Sequence, residues 1–469
     1  MVEEKDILSD LHQEAYRDSV ATISKDGKRN FIFPKKPKGR LYNLRTWFSI
    51  FYLIVFFTLP FIKVNNQPLL LLNVLERKFI IFGMIFWPQD FFIFGIGMLT
   101  FIVFVILFTV VFGRIFCGWA CPQTIFMEMV FRKIEYWIDG DSSQQKQLKS
   151  MPWNAKKIQK RVLKFIAFFS ISFIIANFFL AYLIGMDKVL GYVNHPEESV
   201  GTLISLLVFT SIFFFVYWWF REQACIVVCP YGRLQGVLLD KNSIVVAYDH
   251  KRGEERGKIS EHKNGDCIDC YACVRVCPTG IDIRNGTQLE CVNCTACIDA
   301  CDSIMESVSK PKGLVRYASH NSIEEGVKLT LSTRIKAYST VLFLLIGLLV
   351  FLLVSRTDLD ARLMRTSGMT YTSMPDGRIS NLYNLKLANK THKDIPFTLQ
   401  LENLKGEIKI VGSNTLLVQK EAYSNLQFFV ILNREDVKNY KVDISVGLFE
   451  NGKKLKTLKA HFIGPEVYN

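Results

Sequence analysis

No cysteine precedes Cys117 and none follows Cys301, so all twelve fall in one stretch and the C-terminal third has none. A disulfide framework does not have this distribution; clustered metal-ligand sets do. Histidine is scarce, 7 in 469 residues, and none lies within the long apolar segments, which argues against a bis-histidine haem inside a helix bundle. His195, His250, His262 and His320 stand singly and read as solvated or structural side chains. There is no Gly-rich dinucleotide loop and no P-loop; Gly95-Ile96-Gly97 sits inside an apolar run and reads as helix packing. The first ~45 residues, through Pro34-Lys35-Lys36-Pro37-Lys38-Gly39-Arg40, lack the early apolar region of a removable signal. Membrane insertion is therefore expected to start at the first internal apolar segment.

What is abundant points to lipid. Hydrophobic residues make up 50% of the chain, 38 residues are Phe and the mean hydropathy is +0.20, a membrane-protein profile. The net charge of +14 would raise nucleic-acid binding in a soluble protein. Here the Lys and Arg residues flank apolar segments, as in cytoplasmic loops, and no nucleic-acid partner is expected. Five segments reach spanning length: Trp47–Ile62, Phe91–Gly113, Val162–Gly185, Thr202–Phe220 and Lys336–Val354. Tyr42 and Lys63 extend the first by aromatic anchoring and snorkelling. The shorter run from Phe79 to Trp87, ended by Pro88-Gln89-Asp90, reads as re-entrant or interfacial.

Basic residues set the expected orientation. They crowd the N-terminal arm and the loop from Arg114 to Lys164, with Arg132, Lys133, Lys146, Lys149 and Lys156 among them. The Met186–Val200 loop instead opposes Lys188 with Asp187, Glu197 and Glu198. The N-terminus and residues Arg221–Arg334 are thus expected in the cytoplasm, and everything after Ser355 outside it. The expected fold is an α-helical membrane protein of about five transmembrane helices. An inserted cytoplasmic ferredoxin-like α+β module carries two clusters, and an extracytoplasmic immunoglobulin-like β-sandwich ends the chain. Residues 1–46 form a basic arm, 47–220 a four-helix membrane region, 221–335 the cluster module, 336–355 the fifth span and 356–469 the β domain. That last reading rests on the strand-like runs Leu382–Leu387, Phe397–Leu401 and Phe428–Leu432. The turn Glu450-Asn451-Gly452-Lys453 adds a hairpin signal.

The chemistry lies in the cysteines. Cys267-x2-Cys270-x2-Cys273-x3-Cys277-Pro278 is followed by Cys291-x2-Cys294-x2-Cys297-x3-Cys301, the spacing of bacterial two-cluster ferredoxins. Three thiolates of each motif wrap one 4Fe–4S cubane and the fourth comes from the other motif. Cys267, Cys270, Cys273 and Cys301 are therefore assigned to one cluster, and Cys291, Cys294, Cys297 and Cys277 to the other. Zinc prefers sets of four in paired knuckles, and disulfides are disfavoured in the cytoplasm. Asp302 stands where a proline usually follows the last cysteine. Cys117 and Cys121, with Pro122 next, end the second span; Cys225 and Cys229, with Pro230 next, end the fourth. On a helix each i, i+4 pair would share a face and aim two sulfurs at a common site. A copper site, a further cluster or dithiol relay, and plain buried cysteines all remain open for these four.

Several motifs together are familiar: Phe86-Trp87-Pro88-Gln89-Asp90-Phe91, Cys117-Gly118-Trp119-Ala120-Cys121-Pro122-Gln123-Thr124 and Cys229-Pro230-Tyr231-Gly232-Arg233-Leu234-Gln235. To these add the ferredoxin stretch and Gly313-Leu314-Val315-Arg316-Tyr317. With them the chain resembles the cytochrome c oxidase accessory protein family CcoG (FixG/RdxA) over essentially its whole length. NapH- and NosR-like polyferredoxins share the cluster and membrane-edge motifs but are not expected to share the exported tail. The resemblance implies a bacterial inner-membrane protein that reduces Cu(II) to Cu(I) for assembly of cbb3-type oxidase, with an immunoglobulin-like C-terminal domain. It also implies copper handling at Cys117, Cys121, Cys225 and Cys229, an external electron donor, and oxidase-assembly or copper-handling partners. The exported region has no Met-rich or His-rich tract to collect copper. Two rival functions are a respiratory subunit exchanging electrons with quinone or a partner reductase, and an assembly scaffold with structural clusters.

Overall fold

The computed structural model describes residues 22 and 28–465, apart from 65–66, 75–77, 83, 87–90, 196–199, 260–264, 327–332, 356–358, 367, 369, 392, 413–415, 421, 438 and 451. Trp87-Pro88-Gln89-Asp90, Glu197, Glu198, His262 and most of the basic arm therefore lie outside the described residues. The chain divides into two compact units. The first holds Met1–Lys63, Pro68–Val74 and Phe94–Leu348; the second holds Val64–Gln67, Leu75–Ile93 and Leu349–Asn469.

Among the described residues, five helices are long and apolar enough to cross a membrane: Arg40–Phe61, Phe92–Phe112, Ala155–Ile184, Val200–Phe220 and Thr333–Val354. Two of them begin well before their apolar runs because side chains satisfy their first N–H groups. Asn154 accepts from Lys157 N at 2.9 Å at the start of the third. At the first, the Asp299 carboxylate accepts from Leu41 N at 3.1 Å and Tyr42 N at 2.7 Å. Large side chains such as Phe51, Phe92 and Phe343 stand exposed on these helices. Such apolar surface suits lipid rather than water.

Within the first unit, the π-helical turn Ile125–Phe131 drives an aromatic core between the third and fourth apolar helices. Phe131 stacks on Tyr217 with ring centroids 4.3 Å apart and meets Phe168 edge-on at 4.9 Å. A buried ion cluster follows directly. Glu135 accepts from Lys164 at 2.5 Å and from Arg221 at 2.8 Å, and Lys164 also reaches Asp139 at 2.9 Å. Burial alone would raise the Glu135 pKa. Arg221, Lys164 and Arg132 outweigh it and hold the carboxyl well below its usual range.

The cysteine-rich module is built on an antiparallel strand pair, Val245–Tyr248 with Val315–Ala318, and on helices that begin within each cysteine motif, Ala272–Arg275 and Ala296–Ser307. In the second unit, the run expected as a re-entrant or interfacial segment contains a tight hairpin. Lys78–Ile81 pairs with Met84–Phe86 in the register Phe79↔Phe86.

The C-terminal tail is a β fold with two main sheets and a short two-stranded ladder, Ile395–Pro396 with Leu417–Val418. Its principal strands are β1 (Leu359–Arg365), β2 (Ile379–Asn389), β3 (Thr398–Leu401), β4 (Gly406–Val411), β5 (Tyr423–Leu432), β6 (Lys441–Glu450) and β7 (Lys453–Ile463). One sheet runs β4-β5-β2-β1 and the other β3-β6-β7. Alternate residues point inward, as a pleated strand requires: Tyr383, Leu385 and Leu387 meet Phe428, Val430, Ile444 and Val446 in one core. Tyr383 also donates to His461 O at 2.9 Å, joining the sheets. The β6–β7 hairpin closes with Glu450 opposite Lys453, and Gly452 takes the positive φ of 82° that such a turn needs.

Candidate metal centres

Both ferredoxin-spaced motifs wind the backbone alike. Asp269 and Tyr271 flank Cys270 with φ of 52° and 56°, and Asn293 and Thr295 flank Cys294 with φ of 53° and 66°. Left-handed backbone costs a non-glycine residue about 1–2 kcal/mol, with Asp and Asn the most tolerant. Its alternation with right-handed residues turns N–H groups inward, forming the anion-binding nest that iron–sulfur sites use.

Two small cavities result. Cys267, Cys270, Cys273 and Cys301 line the first, with Tyr248, Tyr271 and Arg284. Cys277, Cys291, Cys294 and Cys297 line the second, with Pro278 and Thr295, and Cys273 borders both. Asp302 accepts from Gly313 N at 2.8 Å, so it ties the middle of the helix Ala296–Ser307 to the next loop.

The surroundings fit an iron–sulfur cluster. The buried Tyr248 hydroxyl lines the first cage beside Cys267 and, among the described residues, has no hydrogen-bond acceptor other than that sulfur. A buried donor left unmade costs about 1–3 kcal/mol, and cluster sulfur would accept from it. Burial pushes the thiols of Cys273, Cys291 and Cys301 up to about 12 and that of Cys294 to about 11. These cages therefore hold protons until a metal displaces them. When bound, the clusters supply one-electron storage at the eight thiolates.

The cages differ in cover. Tyr271 beside the first is 48% exposed, whereas Asn293 and Thr295 beside the second are 2% and 1% exposed. What covers the second is the membrane-edge motif itself. Cys117 packs in one apolar cluster with Val276, Val292, Cys294 and Ala296. Gly118 lies so close that a Cβ there would sit 2.4 Å from Val292 O. Only glycine admits that approach.

The membrane-edge cysteines correct the helical i, i+4 expectation. Cys117 lies in the short helix Ile115–Trp119, but Cys121 is extended, with φ −64° and ψ 125°, ahead of the next helix. Cys229 is extended in the same way, with φ −64° and ψ 112°, after the π-helical turn Ala224–Val228 that carries Cys225. The cause is the proline after each: it clashes with α-helical backbone at the residue before it. The four thiols nevertheless form one electrostatic group. Burial raises Cys117 to about 11 and Cys225 to about 12; Cys121 and Cys229 act on both, and Cys117 also acts on Cys225. Among the described residues, no three His, Cys, Asp or Glu side chains converge as a mononuclear metal site requires.

Several residues here were read only as charge or loop. Arg114, counted as part of a basic loop, is 4% exposed and donates to Gln235 Oε1 at 2.6 Å and Gly232 O at 2.9 Å. Cys117 Sγ donates to the same Gln235 oxygen at 3.3 Å. The one available signal was position: Gly113-Arg114 ends an unbroken apolar run just before the cysteine pair.

Fold and cages together define an iron–sulfur electron-transfer protein with five membrane-length helices and an immunoglobulin-like tail. Residues 220–320 match a 4Fe-4S dicluster domain, 94–140 a 4Fe-4S binding domain, and 349–465 the IG-like fold at the C-terminus of FixG. RdxA of Cereibacter sphaeroides is 34% identical over 81% of this chain and 83% of its own. RdxB of the same organism is 31% identical, covering 85% and 90%. The nitrogen fixation protein FixG of Rhizobium meliloti is 28% identical, covering 86% and 87%. A crystal structure of a FixG-related protein from Vibrio parahaemolyticus aligns over 23% of this chain and 97% of its own, at 19% identity and a TM-score of 0.20. The chain belongs to the FixG/RdxA family.

Proposed function

We propose that the protein is a cupric reductase of the bacterial inner membrane, supplying Cu(I) for assembly of cbb3-type cytochrome c oxidase. A cytoplasmic donor gives up one electron for each Cu(II) reduced. The observation that carries this reading is the packing of Cys117 against Cys294 of the second cage. An acceptor held by the membrane-edge thiols would sit beside that cage, and thiolate favours Cu(I) over Cu(II). The basic loops support an orientation with the N-terminus and both cages in the cytoplasm and the β tail in the periplasm. Oxidase-assembly or copper-handling proteins are the proposed partners.

The test uses purified full-length protein in detergent, an artificial low-potential donor, and a chromogenic Cu(I) chelator. Cu(II) should reoxidise the reduced clusters and release Cu(I). Cys117→Ala with Cys225→Ala should abolish Cu(I) release while the donor still bleaches the clusters; unchanged release would overturn the proposal.

One finding favours a second reading, a further cluster at the same four thiols: the 4Fe-4S binding model covers Cys117 and Cys121. Iron analysis separates the two, with about eight irons per chain for two 4Fe–4S clusters and about twelve for three.

A further inference from the structure

The two cages are alike in ligands and backbone but not in the charges built around them. Arg284, beside the first cage, is matched by two carboxylates, Asp269 at 2.5 Å and Asp282 at 2.6 Å. Asp302, on the same helix as Cys301, adds a further negative charge that acts on that cysteine.

The second cage has two buried cations with no carboxylate partner among the described residues. Arg114 gives its protons to carbonyl oxygens and an amide: Gln235, Gly232, Leu289, and Cys291 O at 3.5 Å. Arg45, 3% exposed, lines a small cavity with Cys294 and Pro278, and its Nε and Nη2 have no hydrogen-bond partner among the described residues. Carboxylates near this cage are already engaged. Glu128, in the same cavity, pairs with Arg132 at 2.9 Å. Asp299 is held by the N–H groups that start the first apolar helix. Two desolvated guanidinium groups are costly unless negative charge opposes them. A 4Fe–4S core with four thiolates is anionic in both redox states and gains one more negative charge on reduction.

We infer that Arg45 and Arg114 are positioning and tuning residues that give the cluster of Cys277, Cys291, Cys294 and Cys297 the higher reduction potential. Nearby positive charge favours the more anionic, reduced form, and here it offsets the burial of the second cage, which alone would disfavour that form. The exposed first cage takes an electron from a soluble one-electron donor. The second draws it on toward the membrane edge, where a one-electron acceptor takes it. That last step rests on the function proposed above; the ordering of potentials does not.

The test is a potentiometric titration of copper-free full-length protein, followed by electron paramagnetic resonance. The wild-type chain should show two components at separate potentials, and Cys294→Ala should remove the higher one. Arg45→Gln and Arg114→Gln should each shift the higher component to more negative potential and leave the lower in place, with Arg114→Lys restoring it. Coincident wild-type potentials would overturn the inference. So would loss of the lower component in Cys294→Ala, or unshifted potentials in Gln variants that hold their full iron. Should Arg114→Gln fail to retain iron, the wild-type titration and Arg45→Gln decide. Absence of Cu(II) reduction with the potentials ordered as stated would defeat only the copper reading.

Discussion

Asp299, on the helix that carries Cys297 and Cys301, accepts a 2.7 Å hydrogen bond from Tyr42 N at the head of the first apolar helix. One carboxylate thus caps a helix more than two hundred residues away and fixes the cage helix to it. Gly39 completes the joint: its φ is 149°, and a Cβ there would lie 2.3 Å from Asp299 Cγ. Asp299→Ala should cost about 0.5–2 kcal/mol, the usual loss for a cap. Faster amide exchange at Leu41 and Tyr42, with thermal unfolding in detergent, measures it. Gly39→Ala should show the same exchange defect; protection at wild-type level in both variants would contradict the capping role.

The Glu135 cluster makes a pH-dependent contribution whose sign follows from its lowered pKa. The folded chain holds this carboxyl ionised below the pH at which the unfolded chain protonates it. Its stabilisation is therefore complete above an unfolded value of about 4.3 and drains as the pH falls below that toward the folded value. Glu135→Gln leaves Lys164 and Arg221 short of a buried partner, at a cost of about 3–5 kcal/mol at pH 7. Unfolding followed by helical circular dichroism should show a smaller difference between variant and parent at pH 4 than at pH 7.

Cage assignment was open to reading because cysteine spacing is a local property. Cys291, Cys294 and Cys297 must sit on one loop, and Cys277 is the ligand left over to join them. Spacing also suggested that Cys117 and Cys121 share a helical face, and there the proline rule should have prevailed over periodicity. Pro122 and Pro230 each force the preceding cysteine into extended backbone. Arg45, Arg114 and Asp299 escaped notice for a different reason. Their partners lie far along the chain, such as Gln235 for Arg114 and Tyr42 for Asp299, and a lone charge beside an apolar run looks like a topology signal. The β tail was legible in its alternating runs, since inward residues such as Tyr383, Leu385 and Leu387 recur every second position.

Crossed ligation predicts which cluster each cysteine governs. Cys294→Ala should empty the second cage and leave the first, giving about half the iron and sulfide per chain. Cys270→Ala should leave the complementary half, with a different paramagnetic spectrum on reduction. Because Cys277 follows the first motif but lines the second cavity, the spectrum left by Cys277→Ala should match that of Cys294→Ala. A match to Cys270→Ala would mean that each motif holds its own fourth ligand.

The tail has its own core, within a compact unit separate from the cages, so its stability is expected to be separable from cluster retention. Phe428 is fully buried on β5 and packs with Tyr383 at 6.0 Å between ring centroids. Phe428→Ala removes most of an aromatic side chain from a close-packed interior, at a cost of about 3–5 kcal/mol. Limited proteolysis should then cut the tail at a lower temperature than in the parent chain. Iron content and the visible spectrum of the clusters should stay as they were. A simultaneous loss of iron would show that the cages depend on the folded tail, a coupling that neither core requires.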